Sequence, residues 1–240
     1  AYVRAADFNG KLGQANNPEW KTVAFDDAGK VVLPNGSIGF RWGPEGRADS
    51  GKWNLEDKEA RHGNEVKLKL SVLEGGAQAH EVVDVALPYF AGADTPHFKN
   101  NPQQGEINRA RVPAVRIRLG KAGDERHALV ATVFDLQVAQ YGIDRGLGSG
   151  AKNYDDNAPY TPAWQEAITG VPRQQLITVA RQFAENAHKT HGKSMVIIGA
   201  AMNHWYHCDM NYRGIINMLM LCGCIGKSGG GWAHYVGQEK

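Results

Sequence analysis

Residues 194–202, SMVIIGAAM, constrain the fold more than any other stretch of the chain. Their Val and Ile core does not alternate with polar residues, which is typical of a parallel strand buried on both faces. The preceding segment has Pro172 at an early position and apolar residues at helical spacing, so we predict an amphipathic helix that ends near His191 and Gly192. A polar loop and an apolar stretch follow the strand. This order of helix, strand, loop and helix indicates an α/β layer.

The first 150 residues have a different texture, with many short segments separated by Gly, Pro and Asn. Asn35-Gly36 between two apolar runs is a turn signal of the kind found in β-hairpins. Residues 43–64 are charged and are expected to be exposed, and residues 146–157 are interpreted as a connector. Strands are predicted at Val66–Leu73, Val82–Leu87, Val115–Leu119 and Ala128–Phe134.

We therefore predict the α/β fold class with two portions. Residues 1–150 form a portion rich in β-ribbons and loops, and residues 151–240 form a strand–loop–helix α/β portion. The second portion opens with a short helix that has Pro162 in its first turn and Gly170 beyond its end.

Charge and cysteine content exclude several classes of protein. The 27 basic and 25 acidic residues are spread along the chain without a basic block, so a nucleic-acid partner is not expected. The longest apolar runs fall short of the roughly 20 residues of a membrane helix, and no signal peptide is recognisable. The three clustered cysteines suit a reducing compartment. We expect a soluble, intracellular chain that is an internal piece of a larger protein.

The polar loop NHWYHCDMNYRG, Asn203 to Gly214, follows the carboxyl end of the predicted strand. Ligands of open α/β sheets bind outside such strand ends. Asp209 is expected to cap a helix at Met210–Cys224, whose first amides favour a negative group such as a phosphate. For His204 and His207, contact with a ligand and bonding to neighbouring loop carbonyls both remain open.

A zinc or iron–sulfur site within this chain is not expected. Cys222 and Cys224 lie two apart on the predicted helix, about 200° around its axis, so they cannot both face one ion. Buried apolar cysteines are the simpler interpretation. The GKS triplets at 192–194 and 226–228 lack the upstream glycine and the strand-to-helix setting of a phosphate loop, so nucleoside triphosphate hydrolysis is not supported.

The last eighty residues resemble the molybdopterin oxidoreductase superfamily. This resemblance rests on YTPAWQEAITGVPRQQLITVARQFA and on GAAMNHWYHCDMNYRGIINMLMLCGCIGKSGGGWAHYVGQEK. The second run is similar to the catalytic alpha subunits of respiratory, membrane-bound nitrate reductases. Two of its motifs, N-H-W-Y-H and G-G-G-W-A-H-Y-V-G-Q, occur at the spacing typical of those subunits. The similarity continues upstream through NNPEWKTVAF, PNGSIGFRWG, Pro88–Phe90 and Thr132–Leu136.

The resemblance implies an internal segment of a larger subunit with the molybdopterin oxidoreductase fold. That subunit would carry a molybdenum bis(molybdopterin guanine dinucleotide) cofactor and an iron–sulfur cluster, and would reduce nitrate to nitrite with electrons from quinol. The implied partners are an iron–sulfur beta subunit and a membrane-anchoring, cytochrome b-type gamma subunit at the cytoplasmic face of the membrane. The remaining alternatives are a nitrite-oxidising relative, another enzyme of the superfamily, and a non-catalytic module that binds the cofactor.

Roles in holding the organic part of the cofactor are carried over from the family by position. No catalytic residue or metal ligand is assigned, because the family's ligands lie in segments outside this sequence. Cys208 occupies a position that is ordinarily apolar, so we expect it to be buried. For His234 and Gln238, a purely structural loop remains an alternative. The resemblance assigns cofactor contacts to Asn203, His204, Trp205, His234, Gly237 and Gln238.

Overall fold

The computed structural model describes residues 2–8, 19, 21–35, 54–55, 68–75, 80–89, 106–120, 123, 126–199, 202 and 204–234. The chain divides into two compact units, Ala1–Thr161 and Pro162–Lys240. Both contain helices and strands, which confirms the predicted α/β class. Among the residues with described structure, no helix combines the length and apolar composition needed to cross a membrane.

The first unit contains short β-ribbons, which follow a 3-10 helix at Ala5–Asp7. Asp26 makes the first hairpin turn: its Oδ1 accepts from Lys30 N at 2.7 Å and its carbonyl accepts from Gly29 N at 2.9 Å. This turn joins β1 (Ala24–Phe25) to its antiparallel partner β2 (Val31–Val32). A second antiparallel pair consists of β3 (Pro34–Asn35) and β4 (Asn54–Leu55).

The first unit contains a three-stranded antiparallel sheet in the order β5 (Glu81–Tyr89), β6 (Glu106–Leu119), β7 (Arg126–Val130). The long central strand has two successive partners, because its register with β5 ends at Ala114 and its register with β7 begins at Val115. Ala110 and Val112 of β6 pack against Ala139 of the helix α1 (Val133–Gln140). The predictions at 82–87 and 115–119 are confirmed.

The strand predicted at Val66–Leu73 is wrong over its described part. Leu68 makes a single bridge to Asp26, and the chain then turns. Carboxylates take the backbone amides that a strand partner would otherwise bind: Leu70 N donates to Glu74 Oε2 at 3.2 Å, and Val72 N donates to a carboxylate of α1 at 2.9 Å. Side-chain acceptors of this kind compete with strand pairing.

The strand predicted at Ala128–Phe134 ends early, at Val130, because a helix starts immediately after it. Thr132 is the N-cap of α1, and its hydroxyl oxygen accepts from Asp135 N at 3.0 Å. A threonine three residues before an acidic residue is a recognisable helix start. The signal was present in the sequence, and the run of apolar residues masked it.

The Asp135 side chain is buried, with 1% of the residue's surface exposed. Its carboxylate accepts from Ser71 Oγ at 2.6 Å, from Val72 N at 2.9 Å and from Thr132 Oγ1 at 2.8 Å. The Arg145 guanidinium forms an ion pair with the same carboxylate. One buried charge therefore joins the distant turn at residues 71–72 to α1 and to Arg145, and its desolvation is offset by four donors.

Replacing Asp135 with Asn should destabilise the unit strongly, because it leaves Arg145 without its counter-charge in a partly buried setting. We expect a loss of about 3 kcal/mol in the free energy of unfolding, measured by urea denaturation. Glu81→Gln is the matched control, since Glu81 pairs with Arg116 at 3.0 Å on an exposed surface and should lose less than about 1 kcal/mol. Equal losses for the two variants would contradict this role for Asp135.

The second unit follows the predicted order of elements. The predicted helices are confirmed: α2 starts at Pro162 and is followed by Gly170 with φ +72°, and α3 starts after Pro172. Two short strands pair in parallel and form the sheet of the unit. Its elements are α2 (Pro162–Thr169), α3 (Arg173–Lys189), β8 (Met195–Ile198), α4 (Cys208–Leu221) and β9 (Gly231–His234).

Two helix ends and one further turn meet beneath this sheet. After α3, Gly192 N donates to Ala187 O at 2.7 Å, and after α4, Cys224 N donates to Leu219 O at 2.9 Å, so both helices end in Schellman turns. A Cβ on Gly192 would overlap the Gly223 carbonyl, and a Cβ on Gly230 would overlap the Gly192 carbonyl. These glycines therefore permit backbone contact between the turns. At Gly214 and Gly223, by contrast, an added Cβ would meet open space.

Gly230→Ala should therefore open this turn cluster, because the added methyl group collides with backbone atoms that cannot rotate away. We expect a loss of about 1–3 kcal/mol in local stability, read as faster hydrogen–deuterium exchange in peptides covering residues 219–234. Gly214→Ala is the control: it lies within α4, has free space for a Cβ, and should gain up to about 1 kcal/mol from helix propensity. Slower exchange in Gly230→Ala would refute the packing argument.

The burial predicted for both faces of β8 is wrong for one face. Ile198 is buried, but Met195 and Ile197 are 44% and 79% exposed, because both described helices that pack on the sheet cover the opposite face. In α4, Leu219 is fully buried whereas Met220 is largely exposed. Both β8 and α4 therefore carry apolar residues on two sides, and the described residues cover only one of those sides.

Candidate functional site

The carboxyl ends of β8 and β9 define the candidate site. The strands pair in parallel from Met195↔Gly231 to Ile198↔His234, so both end at the same level. Neighbouring strands lie about 4.8 Å apart, so Ile198 and His234 lie side by side at this edge of the sheet. In an open α/β sheet, this edge is where a ligand binds.

The loop after β8 presents aromatic rings to solvent. Trp205 is 71% exposed and Tyr206 is 88% exposed, and His204 is exposed as well. The loop backbone is held by turns, in which Trp205 N donates to Met202 O at 3.4 Å and Cys208 N donates to Trp205 O at 3.1 Å. Within the described residues, the side chains of His204 and Trp205 have no hydrogen bond and no ring contact. Large exposed rings of this kind are typical of a ligand surface.

The start of α4 differs from the prediction. Asp209 was expected to be the N-cap, but His207 holds that position with φ +59° and no side-chain hydrogen bond, and Asp209 lies in the first turn. The helix begins earlier because the preceding loop already closes, with Met210 N donating to His207 O at 3.0 Å. The Asp209 carboxylate supplies negative charge to this helix end, which argues against a phosphate bound directly on the helix axis.

His234, the last residue of β9, forms a cluster of three rings with Tyr212 and Trp232. Its imidazole stacks on Trp232 with centroids 6.0 Å apart and planes 8° from parallel. The Tyr212 hydroxyl oxygen of α4 lies 3.3 Å from His234 Nε2. Desolvation, and then the charge of Cys208, raise the pKa of Tyr212 above its ordinary value. His234 remains exposed on its outer side.

The cysteines are placed differently from the expectation. Cys222 and Cys224 follow α4 and do not lie on it, so the helical argument against a shared ion does not apply. Cys224 is buried and its Sγ lies 3.6 Å from the Cys222 carbonyl, whereas Cys208 is only partly buried and its expected burial is wrong. No group of three potential metal ligands was found among the described residues. Burial, and then Cys224, raise the pKa of the Cys222 thiol, which disfavours the thiolate that metals require.

Alkylation should report this raised pKa directly. Cys222 should react with iodoacetamide more slowly than a free cysteine peptide at neutral pH, and its rate should keep rising at alkaline pH after the peptide rate has levelled off. Mass spectrometry of the peptide that contains Cys222, over a series of pH values, measures both. A pH midpoint at or below that of the free peptide would show that the thiol is not shifted upwards.

A cavity of about 200 Å³ in the first unit is a second place to consider. It lies beside β6, α1 and the loop at 142–151, and arginines contribute to its wall. Arg145 is paired with Asp135, and Arg111 donates to the Leu147 carbonyl at 3.0 Å and lies 3.7 Å from Asp84. Internal partners already use both of these guanidinium groups.

The predicted cofactor residues are thus only partly placed. His204 and Trp205 lie on the loop after β8, and His234 ends β9, so the structure brings these three to one edge of the sheet. Tyr212, which contacts His234, was missed because helix periodicity alone does not reveal a partner on another element. Asn203, Gly237 and Gln238 lie outside the described residues.

Comparison with known proteins matches residues 45–237 to the family described as molybdopterin oxidoreductase. Over 240 residues, 99% of the chain, it is 56% identical to the respiratory nitrate reductase 1 alpha chain of Escherichia coli (strain K12) and 54% identical to the respiratory nitrate reductase 2 alpha chain. It is 37% identical over 241 residues to the nitrate reductase alpha chain of Bacillus subtilis (strain 168). The chain spans 18% of the length of each of these relatives.

Proposed function

The chain belongs to the molybdopterin oxidoreductase family, and we propose that it is a segment of the catalytic alpha subunit of a respiratory nitrate reductase. The support for this proposal is identity along the whole chain to proteins named as nitrate reductase alpha chains. The reaction proposed for the complete subunit is the reduction of nitrate to nitrite.

We further propose the form of the cofactor and the assembly. The cofactor is molybdenum held by two molybdopterin guanine dinucleotides, and electrons come from quinol through iron–sulfur clusters. The partners are an iron–sulfur beta subunit and a membrane-anchoring, cytochrome b-type gamma subunit, at the cytoplasmic face of the membrane. When bound, the molybdenum centre supplies the two-electron chemistry that removes an oxygen atom from nitrate.

The residues at the strand ends suit the organic part of this cofactor. His204 offers ring nitrogens to phosphate, ribose or pterin atoms, and Trp205 offers a ring face and one N–H donor. Both side chains are exposed and have no partner in the described part of the chain. The role proposed for them, with Asn203, is to bind and orient the dinucleotide. His234, Gly237 and Gln238 would bind it from the second strand end.

In the complete enzyme, His204→Ala should weaken retention of the cofactor, since the variant loses a hydrogen-bonding ring at the site edge. We expect about a three- to tenfold loss of affinity, measured as molybdenum per subunit by elemental analysis and as nitrate turnover with a reduced dye. His127→Ala removes an exposed histidine of β7 and is the control that should leave both unchanged. Unchanged molybdenum and turnover in His204→Ala would refute its assigned role.

The direction of the reaction is tested on the same preparation. Nitrate with a reduced dye and nitrite with an oxidant are supplied in parallel, and the proposal expects faster conversion in the nitrate-reducing assay. A clear excess of nitrite oxidation would favour a nitrite-oxidising relative of the family. If an assembled, molybdenum-containing enzyme showed neither activity, the proposed reaction would be contradicted.

A further inference from the structure

We infer that Tyr212 is a positioning residue for His234, orienting its imidazole so that the second ring nitrogen faces the oxygen atoms of the bound dinucleotide. This inference rests on the proposed function, because His234 is one of the residues proposed to bind the cofactor. It assigns to the first turns of α4 a role that the loop after β8 does not supply.

The contact joins two elements at the level of the site. Tyr212 belongs to α4, and His234 ends β9, where it is in register with Ile198 at the end of β8. The Tyr212 hydroxyl oxygen lies 3.3 Å from His234 Nε2. His234 Nε2 is thereby tied to α4.

Occupation of Nε2 decides what Nδ1 can offer. In a neutral imidazole, one nitrogen donates and the other accepts, and the bond made by one determines the state of the other. When the Tyr212 hydroxyl donates to Nε2, the proton of His234 resides on Nδ1, which then serves as a donor. A donor is what phosphate and pterin carbonyl oxygens require. Retention of the tyrosine proton at neutral pH, favoured by the raised pKa of Tyr212, is consistent with this arrangement.

Two ring contacts limit the rotation of His234. Trp232 stacks beside it at 6.0 Å and itself packs against the cluster that contains Leu219. Tyr212 meets the imidazole edge-on, with centroids 5.6 Å apart and planes at 74°. These aromatic contacts restrict where the ring lies, and the hydroxyl selects which nitrogen it turns toward the helix. The orientation is therefore set before any ligand arrives, which lowers the entropy lost on binding.

Tyr212→Phe in the complete enzyme tests the hydroxyl apart from the ring, since phenylalanine can keep the ring contacts with Trp232 and His234. We expect about a three- to tenfold loss in nucleotide retention, measured as nucleotide released on denaturation and molybdenum per subunit. A high-resolution structure of the variant should show the His234 ring rotated or in two orientations. Tyr154→Phe, at an exposed tyrosine of the first unit, should match the wild type in all three measurements.

A double-mutant cycle distinguishes positioning from a general effect on folding. Because the hydroxyl acts through His234, Tyr212→Phe should cause no further loss when added to His234→Ala. An equal loss in both backgrounds would overturn the inference, as would a Tyr212→Phe variant with wild-type nucleotide content and an unmoved His234 ring. A wild-type enzyme without molybdenum would overturn the proposed function as well. Loss in His204→Ala with none in Tyr212→Phe would overturn this inference alone.

Discussion

The candidate site depends on the parallel pairing of β8 with β9. Parallel strands require a long crossover connection, and here it runs through the aromatic loop, α4 and the turns that follow. Those turns cross with backbone in contact, which the absence of side chains at Gly192 and Gly230 permits. The pairing places Ile198 in register with His234. It brings two strand ends, distant in sequence, to one edge of a sheet.

The second unit was predictable where a pattern is local. Helical spacing after Pro172 and the unbroken Val and Ile run identified α3 and β8, because both patterns express burial along a single element. The ends of α4 were not predictable in the same way. Its start depends on His207 in a left-handed conformation and its end on the turn at Gly223. Exposure was misjudged for Ile197, since a sequence shows which residues are suited to burial and not which surface covers them.

In the first unit, hydrogen bonds between residues distant in sequence limit what the sequence alone can predict. The alternation at Val66–Leu73 suggested a strand, but the Val72 amide binds the carboxylate of Asp135, 63 residues away. The same limit applies at the candidate site. His204 and Trp205 were selected through family resemblance, supported by their position after a predicted strand, and His234 was selected through the resemblance alone. Tyr212 was missed because its significance lies in a contact between two elements.

We propose that these two strand ends bind the organic part of the cofactor. Their imidazole and indole rings offer N–H donors and ring faces to phosphate, ribose and pterin atoms. A structure of the complete, cofactor-loaded subunit tests this most directly. It should show ring nitrogens of His204 and His234 about 3 Å from oxygen or nitrogen atoms of the dinucleotide. A dinucleotide bound away from both strand ends would contradict this proposal.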